Sequence, residues 1–291
     1  MTFESLGLQR APAARSPQPA ARSPQPAARS PQPAARSPSP QPGLRTADRE
    51  SINYMISVMS RLSITWLGHA TFIITTPGGK RIVTDPWLEG NPMCPADRRR
   101  IDAADLILLT HGHSDHSGDV VAVARATNAP VVAVHELSIW LQKKGLQNVV
   151  GMGVGGTVNV AGLEVSMVPA VHTSSVVEND QILYLGVPTG FVVKMEDGRS
   201  FYFAGDTALF GDMRLIGEVH KPEIAFLPIG DHYTMGPDAA ARAAALLGVR
   251  QVVPMHFGTF PVLTGTPERL KRLVEPASID VLVLKPGETA S

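Results

Sequence analysis

The chain has 291 residues, 44% of them hydrophobic, and its 26 Lys and Arg balance 26 Asp and Glu to a formal net charge of +0. That is the make-up of a globular protein with a sizeable core, and the even balance gives no electrostatic reason to expect nucleic acid or an anionic membrane surface as a partner. The sole cysteine, Cys94, excludes an internal disulfide framework, and the lack of a signal-like apolar segment near Met1 or of a long apolar run later points to a cytoplasmic protein without a membrane span.

Residues 13–42 repeat the unit Ala-Ala-Arg-Ser-Pro-Gln-Pro with a period of seven. Two prolines in each unit remove amide donors and clash with helical geometry, and almost no large apolar side chain is present to bury, so residues 1–59 read as a disordered tail ahead of a globular domain over 60–291. A proline-rich ligand or a basic arm carrying Arg15, Arg22, Arg29 and Arg36 is the functional alternative. A later start, at Met55 or Met59, competes with both and would leave the repeat untranslated.

Short β-type runs follow at 62–67, 71–75 and 81–84, the last two separated by the turn Pro77-Gly78-Gly79, an antiparallel beginning. The apolar run Leu106-Ile107-Leu108-Leu109 reads as a buried strand. Beyond it the pattern predicts a helix over 120–126, a strand over 131–134, a helix over 137–144 ending at Gly145, and strands over 157–160 and 163–168. The glycines of 151–156 read as turns, because no helix follows them as a nucleotide motif requires. The second half predicts strands at 191–195, 200–203, 224–228, 251–254 and 281–284, interleaved with helices near 213–219, 238–247 and 267–274. Hairpins followed by alternating strands and helices, twice over, point to two sheets packed face to face with helices outside.

Directly after the strand at 106–109 stands Thr110-His111-Gly112-His113-Ser114-Asp115-His116, with four metal-ligand side chains in six residues. In an extended segment His111 and His113 face one point, and Asp115 and His116 a neighbouring one. Any one of these residues alone would be an ordinary polar loop residue. Three imidazoles and a carboxylate crowded together would repel and desolvate one another unless a cation held them. Further candidates sit just past apolar strands: His172, Asp206 after Gly205, and His256.

With these segments in view the sequence resembles the metallo-β-lactamase superfamily of binuclear metal hydrolases, and within it the branch of metal-dependent hydrolases related to ascorbate-6-phosphate lactonase. The resemblance spans residues 61–288. It is carried by Trp66-Leu67-Gly68-His69-Ala70-Thr71-Phe72, Thr84-Asp85-Pro86, the His111 to His116 cluster, Val168-Pro169-Ala170-Val171-His172, Ala204-Gly205-Asp206-Thr207, Gly230-Asp231-His232-Tyr233-Thr234-Met235-Gly236 and Pro254-Met255-His256-Phe257. It implies an α/β fold, a four-layer αββα sandwich. It also implies that His111, His113 and His172 bind one divalent ion, that Asp115, His116 and His256 bind a second, that Asp206 bridges both, and that Asp85 orients ligands from behind. Imidazoles and carboxylates suit zinc first, with manganese, iron or nickel as alternatives.

The implied activity is hydrolysis of a small-molecule ester or lactone by a metal-bridged hydroxide, with Asp115 passing a proton to the leaving group. His69 and His232 are further catalytic candidates, each with a plainer role in a turn, and Tyr233 and Thr234 would line the pocket. His135 and His220 read as structural or surface residues, and Cys94 as a loop residue. Phosphodiester hydrolysis of a lipid or nucleotide is the alternative on the same site. A non-catalytic metal-binding module would carry a damaged ligand set, and a flavodiiron-type redox enzyme would need a carboxylate where Ser114 stands and a flavin domain.

Overall fold

The computed structural model describes residues 61–291. The repeat tail, and with it the question of a start at Met55 or Met59, lies outside the described residues. The chain builds two seven-stranded sheets and a separate two-stranded hairpin.

The first sheet opens with β1 (Ser63–Trp66), β2 (Phe72–Thr75) and β3 (Arg81–Thr84), an antiparallel meander as the turn residues predict. It continues in parallel through β4 (Leu106–Leu108), β5 (Val131–Val134) and β6 (Val149–Met152). The second sheet contains β7 (Thr157–Val160), β8 (Leu163–Pro169), β11 (Thr189–Lys194), β12 (Ser200–Phe203), β13 (Ile224–Pro228), β14 (Gln251–Met255) and β15 (Asp280–Val281), in the order β15-β14-β13-β12-β11-β8-β7. β4, β5 and β12 are buried at every position. Their continuous apolar runs are what strands covered on both faces require.

The two sheets meet through aromatic rings. Phe72 of β2 lies 5.0 Å from Phe226 of β13 and 6.4 Å from Phe203 of β12, ring centroid to centroid, and Trp66 stacks on Phe257 at 5.0 Å. Phe72, Phe203 and Phe226 are fully buried, and burying each such side chain stabilises the fold by about 1.5–3 kcal/mol.

Helices cover the outer faces. α2 (Val120–Thr127) contributes Val120, Val123 and Ala124 to the core, and α3 (His135–Lys143) packs on β5 and β6. Over the second sheet lie α4 (Met213–His220), α5 (Pro237–Leu247) and α6 (Pro267–Val274). α5 shows why such a segment is helical. Proline occupies its first turn, Gly248 ends it in the left-handed region, and Ala240, Ala243, Ala244 and Leu247 form one buried stripe. The result is the expected four-layer αββα sandwich.

Several sequence expectations need correction. The segment after His113 is not extended: residues Ser114–Ser117 form a single helical turn, α1, closed by His116 N and Ser117 N donating to His113 O. Gly151 belongs to β6 rather than to a turn, because its register against Ala133 of β5 outweighs the weak strand propensity of glycine. Residues Ser175–Glu178 and Gln181–Tyr184 form a hairpin, β9–β10, in a stretch for which the sequence pattern predicts no element. The closing strand over 281–284 shrinks to β15. The chain then turns at Pro286-Gly287, Gly287 N donates to Trp66 O, and β16 (Thr289–Ala290) pairs with β1 at the edge of the first sheet. No helix among the described residues is long and apolar enough to cross a membrane.

Tyr202 of β12 is fully buried and its hydroxyl has no hydrogen-bond partner among the described residues. A buried, unpaired hydroxyl carries a desolvation cost of about 1–3 kcal/mol. Tyr202→Phe is therefore expected to raise unfolding free energy by about 1 kcal/mol in denaturant titration; a clear loss of stability would show that the hydroxyl is paired.

Candidate metal centre

The strands that deliver the candidate donors run the same way within each sheet. β1, β3 and β4 are mutually parallel in the first sheet, since β2 is antiparallel to both β1 and β3, and β3 is parallel to β4. In the second, β8 and β12 both run antiparallel to β11, and β12, β13 and β14 are parallel. His69, Asp85, His111, His172, Asp206 and His256 follow the carboxyl ends of β1, β3, β4, β8, β12 and β14, respectively. Shared direction puts their side chains at one edge of the sandwich, where strand ends present chemistry from a rigid base.

There the donors converge. The ligand atoms of His111, His113 and His172 lie within 4.8 Å of one another, and so do those of His69, Asp115, His116 and His256. Asp206 stands between the groups. Its Oδ2 is 3.1 Å from His256 Nε2, 3.5 Å from His172 Nε2 and 4.0 Å from His111 Nε2, and its Oδ1 is 3.3 Å from His116 Nε2. His111 Nε2 and His113 Nδ1 are 3.0 Å apart. All seven residues expected as ligands are thus brought together, and His69 joins them.

Local backbone explains the placement. Gly205 adopts φ +61°, and a Cβ there would come within 2.7 Å of the Thr110 side chain, so only glycine lets the β12 end approach the histidine motif this closely. His69 and His256 hold φ of 55° and 54°. Such left-handed conformations cost non-glycine residues energy and cluster at functional sites. His256 N donates to His69 O, and the two rings lie 3.8 Å apart.

A layer of hydrogen bonds holds the donors from behind. Asp85, fully buried, accepts from Thr110 N at 2.8 Å, from Thr110 Oγ1 at 2.7 Å and from His116 Nδ1 at 2.8 Å. A neutral or charged His116 with its Nδ1 hydrogen given to Asp85 directs Nε2 at the Asp206 side. Thr110 Oγ1 also lies 3.0 Å from His111 Nδ1. On the other flank, His69 Nε2 is 3.2 Å from Asp115 Oδ2 and His69 Nδ1 is 2.9 Å from Thr259 Oγ1. Since a carboxylate only accepts, the proton of a neutral His69 sits on Nε2; Thr259 Oγ1, beside Nδ1, also donates to Met93 Sδ at 3.1 Å.

Charge in the cluster is set by burial and by the carboxylates. Burial lowers the pKa values of His111, His113 and His172, and with His256 beside it takes His69 down to about 4. Burial opposes charge on His116 too, but Asp206 and Asp85 raise it well above the ordinary histidine range. Asp206 and Asp115 are likewise opposed by burial yet held low, Asp206 by His116 and His256, Asp115 by the His69 hydrogen bond and His116. Burial raises Asp85 against the pull of His116.

These residues fit metal ions. Among the described residues, His116 Nε2, Asp206 Oδ1 and both ring nitrogens of His256 are buried without a hydrogen-bond partner, although close opposite groups surround them. Unpaired buried polar atoms are costly. Neutral imidazoles and ionised carboxylates are the protonation states in which these side chains ligate, and the positive charge that two carboxylates demand at His116 is one a cation supplies.

The remaining candidates fall elsewhere. His232 is exposed, with its ring 4.4 Å from Tyr233, and does not line the cleft, whereas Tyr233 does. His135 begins α3, His220 ends α4, and Cys94 is buried, its thiol pushed up to about 11 by burial. Sequence reasoning missed Thr110, although it adjoins His111. Thr259 could not have been found, since its partner His69 is 190 residues away.

The αββα sandwich and its edge of imidazoles and carboxylates define a metallo-hydrolase of the β-lactamase kind, and residues 80–257 match the Beta-lactamase superfamily domain. The chain is 50% identical over 230 residues to a metal-dependent hydrolase of Koribacter versatilis, covering 79% of this chain and 98% of that one. It is 51% identical over 228 residues to another from Rubrobacter xylanophilus, covering 77% and 94%. Among solved structures it is similar to Igni18, a metallo hydrolase from Ignicoccus hospitalis, with 38% identity, a TM-score of 0.70, and coverage of 79% of this chain and 97% of that one. The chain belongs to the UPF0173 metal-dependent hydrolases of the β-lactamase superfamily.

Asp85→Asn tests the layer behind the donors. Asparagine tolerates the φ of 36° at this position but its amide cannot accept from both Thr110 and His116 as the carboxylate does. Metal affinity is expected to fall roughly 10–100-fold with the circular dichroism spectrum unchanged; wild-type affinity in a competition titration would remove Asp85 from the role.

Proposed function

We propose that this hydrolase holds a pair of divalent cations, His111, His113 and His172 around one, Asp115, His116 and His256 around the other, with Asp206 shared between them, and that it opens small ester or lactone substrates. One observation carries the proposal: four imidazole nitrogens, of His111 and His116 from one sheet and His172 and His256 from the other, lie 3.1–4.0 Å from the buried Asp206 carboxylate, and among the described residues His116 Nε2, both ring nitrogens of His256 and Asp206 Oδ1 have no hydrogen-bond partner. Imidazole and carboxylate donors favour zinc, with manganese, iron or nickel as alternatives. Cations bound in such a pair lower the pKa of water and polarise the scissile bond.

The chain's own residues do the rest. Asp206, 3% exposed, fixes the relation between the two donor groups. Asp115 is more open, its side chain 26% exposed, and its carboxylate takes the proton of the attacking water and returns it to the leaving oxygen. His69, donating from Nε2 to Asp115 Oδ2, orients that carboxylate. Thr259 Oγ1 lies against the other ring nitrogen of His69 and limits its rotation. Because burial and His256 keep His69 neutral at physiological pH, it serves as a donor to Asp115 rather than as a second positive charge. Tyr233 stands at the cleft wall, where a small molecule would pass.

Freshly purified protein is expected to contain about two equivalents of divalent metal by elemental analysis. Stripping with a chelator should abolish hydrolysis of generic esters and lactones, and adding zinc should restore it. His113→Ala and Asp206→Asn should lower both metal content and hydrolysis. Metal content below about one equivalent, or activity unchanged in His113→Ala, would defeat the proposal.

A further inference from the structure

The cleft over the donor cluster encloses about 570 Å³, and one of its walls is the β9–β10 hairpin, which belongs to neither sheet. This wall is fixed at both ends. At its root, Gly112 N donates to Ser174 Oγ at 3.2 Å, and a Cβ on Gly112 would meet Ser175 O at 3.1 Å and the Val176 Cγ1 methyl at 3.3 Å, so the hairpin lies directly against the histidine motif. At its tip, Trp140 Nε1 of α3 donates to Glu178 Oε1 at 2.8 Å, and Lys144 pairs with the same carboxylate.

The chemistry of this wall is lopsided. Val176, Val177, Trp140 and Tyr233 line the cleft together with the donors. Among the described residues, no lysine or arginine lines it. The carboxylates among its lining residues are Asp115, Asp206 and Glu178, and Glu178 is paired with the Lys144 ammonium. A phosphate or carboxylate on the part of a substrate that is not cleaved, held away from the donor cluster along the hairpin wall, would meet no lysine or arginine of the lining and would lie beside Glu178. An uncharged alkyl or aryl group would instead cover Val177, which is 72% exposed, and the Trp140 ring.

Resting on the metal-hydrolase reading above, we infer that the substrate carries an uncharged, apolar chain on its uncleaved side, seated between the β9–β10 hairpin and Trp140, and that Val177 and Trp140 set this specificity. The inference separates the protein from phosphorylated lactones as substrates.

The test is calorimetric binding of straight-chain hydroxamates, acetohydroxamate through octanohydroxamate, to the zinc-loaded full chain, since the hydroxamate group binds metal and turnover is not needed. Affinity is expected to rise about threefold per added methylene over the first several. Val177→Asp, at an exposed position, and Trp140→Ala should flatten that rise while leaving zinc content and acetohydroxamate affinity unchanged. A hydroxamate of equal length ending in a phosphonate should bind more weakly than its alkyl counterpart. A flat chain-length series in the wild-type protein, an undiminished slope in both variants, or tighter binding of the phosphonate would overturn the inference. Failure of acetohydroxamate itself to bind would overturn the metal reading beneath it.

Discussion

A carboxylate that is almost fully buried and within 3.1–4.0 Å of four imidazole nitrogens is the constraint around which this fold is built. Asp206 reaches that position because Gly205 admits β12 against Thr110, and no side chain larger than hydrogen fits there. The imidazoles reach it because strands in both sheets end at the same edge. Taking so many polar groups out of water is unfavourable unless they satisfy one another or share a cation. Belonging to the metal-dependent hydrolases accounts for why the fold tolerates such a concentration.

Much of this was legible in the sequence, for physical reasons that differ by element. The strands leading to His111, Asp206 and His256 are short apolar runs followed at once by a polar side chain, and that contrast survives any uncertainty in their boundaries. α5 was readable because its proline, its alanine stripe and Gly248 agree with one another. The helical turn after His113 was not readable: four residues of mixed polarity carry no periodicity, and the turn forms because His113 O accepts from two following amides. The β9–β10 hairpin was hidden for a related reason. Val177 and Ile182 are exposed on it, so apolar residues do not mark a buried face there, and its placement depends on contacts to Gly112 and Trp140 that are remote in sequence.

The groups behind the donors were harder to read than the donors. Asp85 announces itself as an acidic residue after a strand, yet nothing local says that it supports His116 rather than a metal. Its three hydrogen bonds, from Thr110 and His116, are visible only in the folded chain. Thr259 is more extreme, an ordinary threonine in a loop that acquires meaning only through the histidine it touches. Residues of this kind emerge from three-dimensional arrangement, whereas metal ligands betray themselves by chemical type.

The left-handed backbones of His69 and His256 face each other across the seam, joined by the amide of one and the carbonyl of the other. His69 follows a strand of one sheet and His256 a strand of the other, so the clasp that aligns the donors also pins the two halves of the sandwich. For the two-ion centre proposed above, cohesion of the halves and retention of metal would be a single thermodynamic event. Neither sheet, severed from its counterpart, would keep a complete coordination sphere.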